Sequence, residues 1–418
     1  MNRSRLFRAS CTALATAALV FTIRGDIADA LAGDFRLTKR EVGWVMGAGF
    51  WGFTLSIIVG GALLDWLGMR RLLLLSAGGY IVGSILTVTA PMPAPGASTL
   101  PGFLSLFAAT LLIGLAHGLV EAVINPLIAT LFPDEKTHRL NVLHAWWPGG
   151  FIVASVLLVS LTGILGLDRP DASPAVLTWG WKIKMLLILL PAAGFAMLAW
   201  GQPFPATERV ASGVAARDMF REALRPLFIL LFACMWLTAA TELGPDQWMA
   251  SLIKQLAGIQ GTLVLGYTAL IMFALRFFAG PVAHRISPLG ILTASSVLAA
   301  VGLLALSHVR TPLAAFAAAT VYGVGKTYFW PTMLGVVSER FPKGGALLLG
   351  LMGGGGMLSV AFILPIMGGW YDTSGAYAAF RYVAVLPALL TVVFAGLTLY
   401  FRARGGYRAI RMAPEEAS

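Results

Sequence analysis

HGLVEAVINPLIATLF, residues 117–132, sets a carboxylate in the middle of an oily run. Glu121 is followed four residues on by Asn125 and then by Pro126, which removes a helix hydrogen bond. Apolar runs of about 20 residues recur along the whole chain, the length that crosses a bilayer as a helix. The chain has 418 residues, 58% hydrophobic and only 12% charged. Soluble domains carry about a quarter charged residues, so a soluble protein is excluded.

Twelve spans are expected, at 9–32, 41–64, 72–91, 103–132, 139–165, 178–200, 226–252, 261–283, 288–308, 311–338, 344–368 and 376–401. They divide into an N-terminal six-helix bundle over 1–200 and a C-terminal one over 226–402. A polar linker, 201–225, joins them, and 403–418 forms a tail. The fold class is an all-α membrane protein.

Basic residues give the orientation. With both termini inside, the inner segments hold 18 of the 30 Lys and Arg, among them Arg3, Arg70, Arg139, Arg340 and Arg404. The outer loops hold six: Arg36, Lys39, Arg40, Arg169, Lys254 and Arg310. The formal charge of +11 therefore reflects membrane topology, not a nucleic-acid partner. A multi-pass protein of the cell inner membrane, acting as a monomer in the lipid bilayer, is the expectation. MNRSRLFR followed by an apolar run and ADALA imitates a cleaved signal peptide, but cleavage would break the two-half count. Cys11 and Cys234 lie in separate apolar runs, with no disulfide framework, no metal-ligand company and no cofactor motif.

The quoted stretch has an echo. Gly118 precedes Pro126 by eight residues, and in GVGKTYFWP Gly323 precedes Pro331 by eight. Overlaying the prolines sets Glu121 opposite Lys326, at equal depth in the two halves. A lone mid-bilayer charge costs roughly 2.5–3.5 kcal/mol on insertion scales, so such groups face a bundle interior or a wet cavity. The expectation is that Glu121 and Lys326 satisfy each other across a central cavity, with both prolines bending their helices around it. A static pair tying the two spans together is the alternative.

The inner end of the second span reads GALLDWLGMRR. Gly61, Asp65, Gly68, Arg70 and Arg71 match the loop signature of the major facilitator superfamily, and the whole chain resembles that family. A degraded copy follows the eighth span at Gly280, His284 and Arg285. The resemblance implies two bundles rocking around a central site, with Asp65 and the arginines as a gate motif. Glu121, Asn125, Pro126, Arg139, Leu140 and Asn141, followed by His144, Trp146 and Gly150, resemble the fucose:proton symporter branch. That branch implies a small-molecule substrate and a proton, with an acid in the first span, here Asp26. Arg24 and Lys326 depart from the branch pattern, which points to a sugar acid or carboxylate.

Proton coupling requires a carboxyl group that is neutral when buried alone and ionised when a cation approaches. Glu121, with Lys326 as the approaching cation, fits that requirement. Asp26 and Arg24 are further candidates, or pair locally with helix-turn neighbours. TAATELGPDQW brings Glu242 and Gln247, with Asp246, into the seventh span, which suits a polar substrate or a helix entering water. Arg276 is an anion contact or a cross-helix tie. Asn125, Asn141 and His144 can hydrogen-bond hydroxyls, and Tyr328 and Trp330 can stack on a sugar ring. The run MGGGG at 352–356 reads as close packing or a flexible helix.

GVGKT resembles the end of a phosphate-binding loop, but it lacks the first glycine and the preceding strand. A secondary active transporter using alternating access is therefore expected. A proton-driven efflux carrier is the alternative, and a membrane-embedded enzyme using His117, His144 and Glu121 is the remote one.

Overall fold

The computed structural model describes residues 2–132, 136–205, 221–276, 286–341, 344–408 and 410. Among them the chain is helical, with no strand. The first half contains α1 (Arg3–Asp26), α2 (Ala28–Phe35), α3 (Lys39–Leu67), α4 (Met69–Val88), α5 (Leu100–Leu131), α6 (Lys136–Ile164), α7 (Pro174–Leu186) and α8 (Leu189–Ala199). The second contains α9 (Pro226–Ala257), α10 (Gly261–Arg276), α11 (Pro288–Leu306), α12 (Pro312–Lys326), α13 (Phe329–Arg340), α14 (Gly345–Ser374), α15 (Ala376–Val383) and α16 (Val385–Ala403). Helix is the open-chain answer to a bilayer, because every backbone group finds its partner inside the segment.

Among the described residues, ten helical stretches are long and apolar enough to cross a membrane. Gly261–Arg276 is a shorter apolar helix. The expected tenth span is two pieces, α12 and α13, separated at Thr327 and Tyr328. Its break corrects the expectation for Pro331. That proline sits in the first turn of α13, and the chain parts before it. Pro126, by contrast, lies inside an unbroken α5. The first span also parts, at Ile27 between α1 and α2.

Helix ends gather at two faces of the molecule. The terminal face carries the N-terminus, where Arg5 Nη2 donates to Met197 O at 2.8 Å and Phe7 meets Phe132 edge-on. Gly68 lies there at φ +79°, a conformation open to glycine, so α3 turns into α4 within one residue. Arg70 and Arg71 are exposed beside it. The surroundings of Gly61 and the side chain of Asp65 lie outside the described residues, as do 206–220 of the linker and the second motif copy, Gly280, His284 and Arg285.

The opposite, distal face is stitched across the two halves. Thr38 and Glu41 form a capping box at the start of α3, with Thr38 N–H donating to Glu41 Oε2 at 2.8 Å and Glu41 N–H to Thr38 Oγ1 at 3.1 Å. The next two backbone donors, Lys39 and Arg40, reach across to the carboxylate of Asp372 near the end of α14, at 2.9 and 2.8 Å. A carboxylate on orphan N–H groups also meets the positive end of the helix dipole. Below this, α3 and α14 run in close contact. A Cβ on Gly47 would lie 2.6 Å from Ala361 O, so only glycine permits the approach. The glycine run of α14 is close packing: Thr54 Oγ1 donates to Gly354 O at 3.0 Å, and Gly356 seats the Trp330 ring.

Candidate functional site

Four long elements, α1, α5, α9 and the broken pair α12–α13, carry most of the charges buried in the apolar interior. In the C-terminal half, Lys326 Nζ lies 2.6 Å from both oxygens of Asp246, and both side chains are essentially sealed from solvent. Lys326 also sits 5.1 Å from the Tyr322 ring centre, one turn earlier on α12. The Tyr322 hydroxyl donates to Thr241 O and Glu242 O at 3.0 and 2.9 Å, tying α12 to α9. The anticipated Glu121–Lys326 pair is therefore not formed. Lys326 has a nearer carboxylate on its own half, and a buried lysine takes the partner that desolvates with it.

Arg276 completes a second pair in this cluster. Its Nη2 is 3.8 Å from Glu242 Oε1, and its Nε donates to Thr327 O at 3.4 Å. Thr327 stands four residues before Pro331, so its carbonyl is the one the proline deprives of a helical donor. Arg276 thus binds the break in the tenth span as well as Glu242. Tyr328 adds a bond from its hydroxyl to Leu275 O at 2.9 Å. Glu242 is buried, and its Oε2 has no partner among the described residues.

The N-terminal half is arranged differently. Asn125 donates to Glu121 Oε2 at 2.9 Å and to Glu121 O at 3.1 Å. His144 Nε2 lies 2.9 Å from Asn125 Oδ1. These three residues form a hydrogen-bonded chain from half-buried Glu121 on α5 to accessible His144 on α6. Asn141 has no described side chain. Trp146 is exposed, while Trp147 stacks on His117 at 5.7 Å.

Arg24 is 8% exposed and points into the bundle against α3. It donates to Met46 O at 3.4 Å and lies 5.3 Å from the Phe50 ring centre. No carboxylate lies within 4.0 Å of it among the described residues, and its Nε has no partner there. A Cβ on Gly49 would fall 1.9 Å from Arg24 Nη1, so this glycine makes the cation's seat. Tyr80 and His117 are within electrostatic reach of Arg24, and Tyr80 is also within reach of Glu121. The Tyr80 hydroxyl is buried without a partner among the described residues.

Asp26 and Gln247 take part in closing the distal end. Asp26 pairs with Lys184 of α7 at 2.5 Å and accepts from Thr262 of the other half. Lys184 in turn donates to Thr162 at 2.7 Å. This corrects the expected local pairing with helix-turn neighbours, because Asp26 takes its cation from α7 and a hydroxyl from the other half. Gln247 Nε2 donates to Phe21 O at 2.6 Å, again across the halves. Asp29 meets Lys39 and Ser251 in the same layer.

Sequence reasoning missed Lys184, Tyr322 and Tyr80. Lys184 was legible as a charge within WKIKMLLILL, and Tyr322 as the residue one turn before Lys326. Tyr80 had no sequence signal. Among the described residues no cluster of three metal-ligating side chains occurs.

Comparison with known proteins agrees with this architecture. The mouse (Mus musculus) voltage-gated purine nucleotide uniporter SLC17A9 is 26% identical over 390 residues, covering 86% of this chain and 81% of that protein. A D-xylose transporter of Levilactobacillus brevis is 28% identical over 157 residues, 38% of this chain and 30% of that one. The crystal structure of a D-xylose-proton symporter superposes with a TM-score of 0.75 at 14% identity, covering 93% of this chain and 97% of that one. That likeness is one of fold. The family model of the Major Facilitator Superfamily matches residues 9–344. The chain is thus a member of the major facilitator superfamily, whose proteins are membrane transporters.

Proposed function

We propose that this transporter carries a small hydroxylated organic anion, a sugar acid or similar carboxylate, by proton symport with alternating access. The reading takes the chain as twelve spans in two six-helix bundles, 1–200 and 226–402. Residues 201–225 and the tail 403–418 then lie inside the cell with both termini, in the inner membrane. The resemblance to the fucose:proton symporter branch belongs to the same reading.

The observation that carries it is Arg24. A guanidinium held in the apolar interior against a carbonyl and a ring, with no carboxylate beside it among the described residues, favours an anion that brings the missing charge. The C-terminal cluster is different: its two acids, Glu242 and Asp246, already face its two bases, Arg276 and Lys326. The mouse relative, named for a nucleotide, and the xylose transporter supply an anion and a sugar as precedents. Glu121 is the proton carrier in this reading, and the Asn125–His144 chain leads from it to accessible surface.

Reconstituted vesicles test this. Labelled hexoses, deoxysugars and sugar acids are offered with a pH gradient alone, then with a membrane potential alone. Accumulation of a sugar acid on the pH gradient supports the reading, and uptake confined to neutral sugars ends it. A second reading, uniport driven by the potential, is favoured by the uniporter relative. It predicts accumulation on the potential with no response to the pH gradient.

A further inference from the structure

The C-terminal half has a second basic site, remote from the buried charges. At the terminal face, the start of α9, the end of α13 and the end of α16 border an open cavity of about 430 Å³. Three arginines line it, Arg340, Arg404 and Arg408. No carboxylate is among the lining residues. Glu339, the acid beside Arg340 in sequence, accepts from the Tyr407 hydroxyl at 2.7 Å and is not among the lining residues.

Arg340 and Arg404 are held in place rather than splayed. Arg340 Nη1 donates to Arg408 O at 2.9 Å, and its guanidinium lies 5.0 Å from the Phe401 ring centre. Its Nε is buried with no partner among the described residues. Arg404 stands 4.5 Å over the Tyr400 ring. Like charges gathered in one cavity repel unless an anion joins them, and the guanidinium fork matches phosphate oxygens.

The rest of the wall is greasy. Leu227, Leu397 and Tyr400 line the cavity beside the arginines. Along α16, Leu389, Val392 and Leu399 are exposed on an apolar helix long enough to cross a membrane. Such a face lies against acyl chains, and the arginines stand at its end, where headgroups begin.

We propose that this cavity binds the phosphate of an anionic phospholipid, whose chains lie along α16. A free phosphate would use the arginines and leave the aliphatic wall without a role.

The test uses the full chain purified in detergent, with native mass spectrometry and thermal unfolding as readouts. Phosphatidylglycerol, phosphatidylcholine and millimolar inorganic phosphate are the probes. Phosphatidylglycerol is expected to remain bound roughly tenfold more than phosphatidylcholine and to raise the unfolding midpoint. Arg404 and Arg408 are exposed, so the R404Q/R408Q variant is expected to fold while losing that preference. The R404K/R408K variant, which keeps the charges without the forks, is expected to retain part of it. Equal retention of both lipids, an unchanged preference in R404Q/R408Q, or displacement of phosphatidylglycerol by inorganic phosphate would each overturn the proposal.

Discussion

Lys326 and Asp246 form a buried ion pair, with the ammonium 2.6 Å from each carboxylate oxygen. They are 80 residues apart and join α12 to α9. Removing one partner strands the other charge in the interior, a loss of about 3–5 kcal/mol. K326M and D246N are expected to lower the thermal midpoint sharply, and the K326M/D246N double variant to recover most of it. Double-variant stability no better than the worse single would show that the pair is not the unit holding these helices.

Glu121 has its own test. E121Q retains the shape and the Asn125 contact but cannot release a proton. Accumulation driven by a pH gradient is expected to vanish, while exchange of labelled for unlabelled substrate continues. Vesicle uptake with and without the gradient separates the two, and full accumulation by E121Q would remove Glu121 from the coupling step.

Arg276 replaces the helical donor that Pro331 takes from Thr327. P331A returns an N–H to that carbonyl. R276Q is therefore expected to destabilise the P331A background less than the wild type, with a coupling of about 0.5–1.5 kcal/mol. The cycle is read by thermal unfolding, and additive effects would mean that the two residues act independently.

Gly49 seats the Arg24 guanidinium. G49A forces a methyl group into that space, a strain of about 1–3 kcal/mol, and is expected to lower both stability and substrate affinity. R24K in the same position keeps the charge but not the fork, so weaker binding of an anionic substrate is expected with folding retained. Binding isotherms of the purified variants check both.

Gly47 governs the distal seam. Any side chain there pushes α3 from Ala361. In a background with Cys11 and Cys234 replaced by serine, G47V is expected to increase maleimide labelling of a cysteine placed at Ala28, which is buried here. Unchanged labelling would mean that the seam tolerates the added volume.

Much of this architecture was legible in the sequence. Apolar runs located the helices, and the GALLDWLGMRR motif indicated the family that the family model then matched. The proline overlay gave Glu121 and Lys326 an expected depth but not their partners, because depth says nothing of the direction a side chain takes around its helix axis. Lys326 turns to Asp246 of its own half, while Glu121 turns along its own helix to Asn125. The break at Ile27 has no proline beside it and was invisible, whereas Pro331 signalled the one at Thr327, as a bend rather than a parting. The Asn125–His144 link joins residues one helix apart that the branch resemblance had already grouped.

The hold of Asp372 on the first amides of α3 has a thermodynamic consequence. A carboxylate and two backbone amides are groups that bulk water solvates almost as well when they separate. Parting them therefore exchanges one set of polar partners for another, at a net cost of about 1.5–3 kcal/mol for each bond to a charged group. That is the scale of work a membrane potential supplies, about 2.3 kcal/mol for each charge moved through 100 mV.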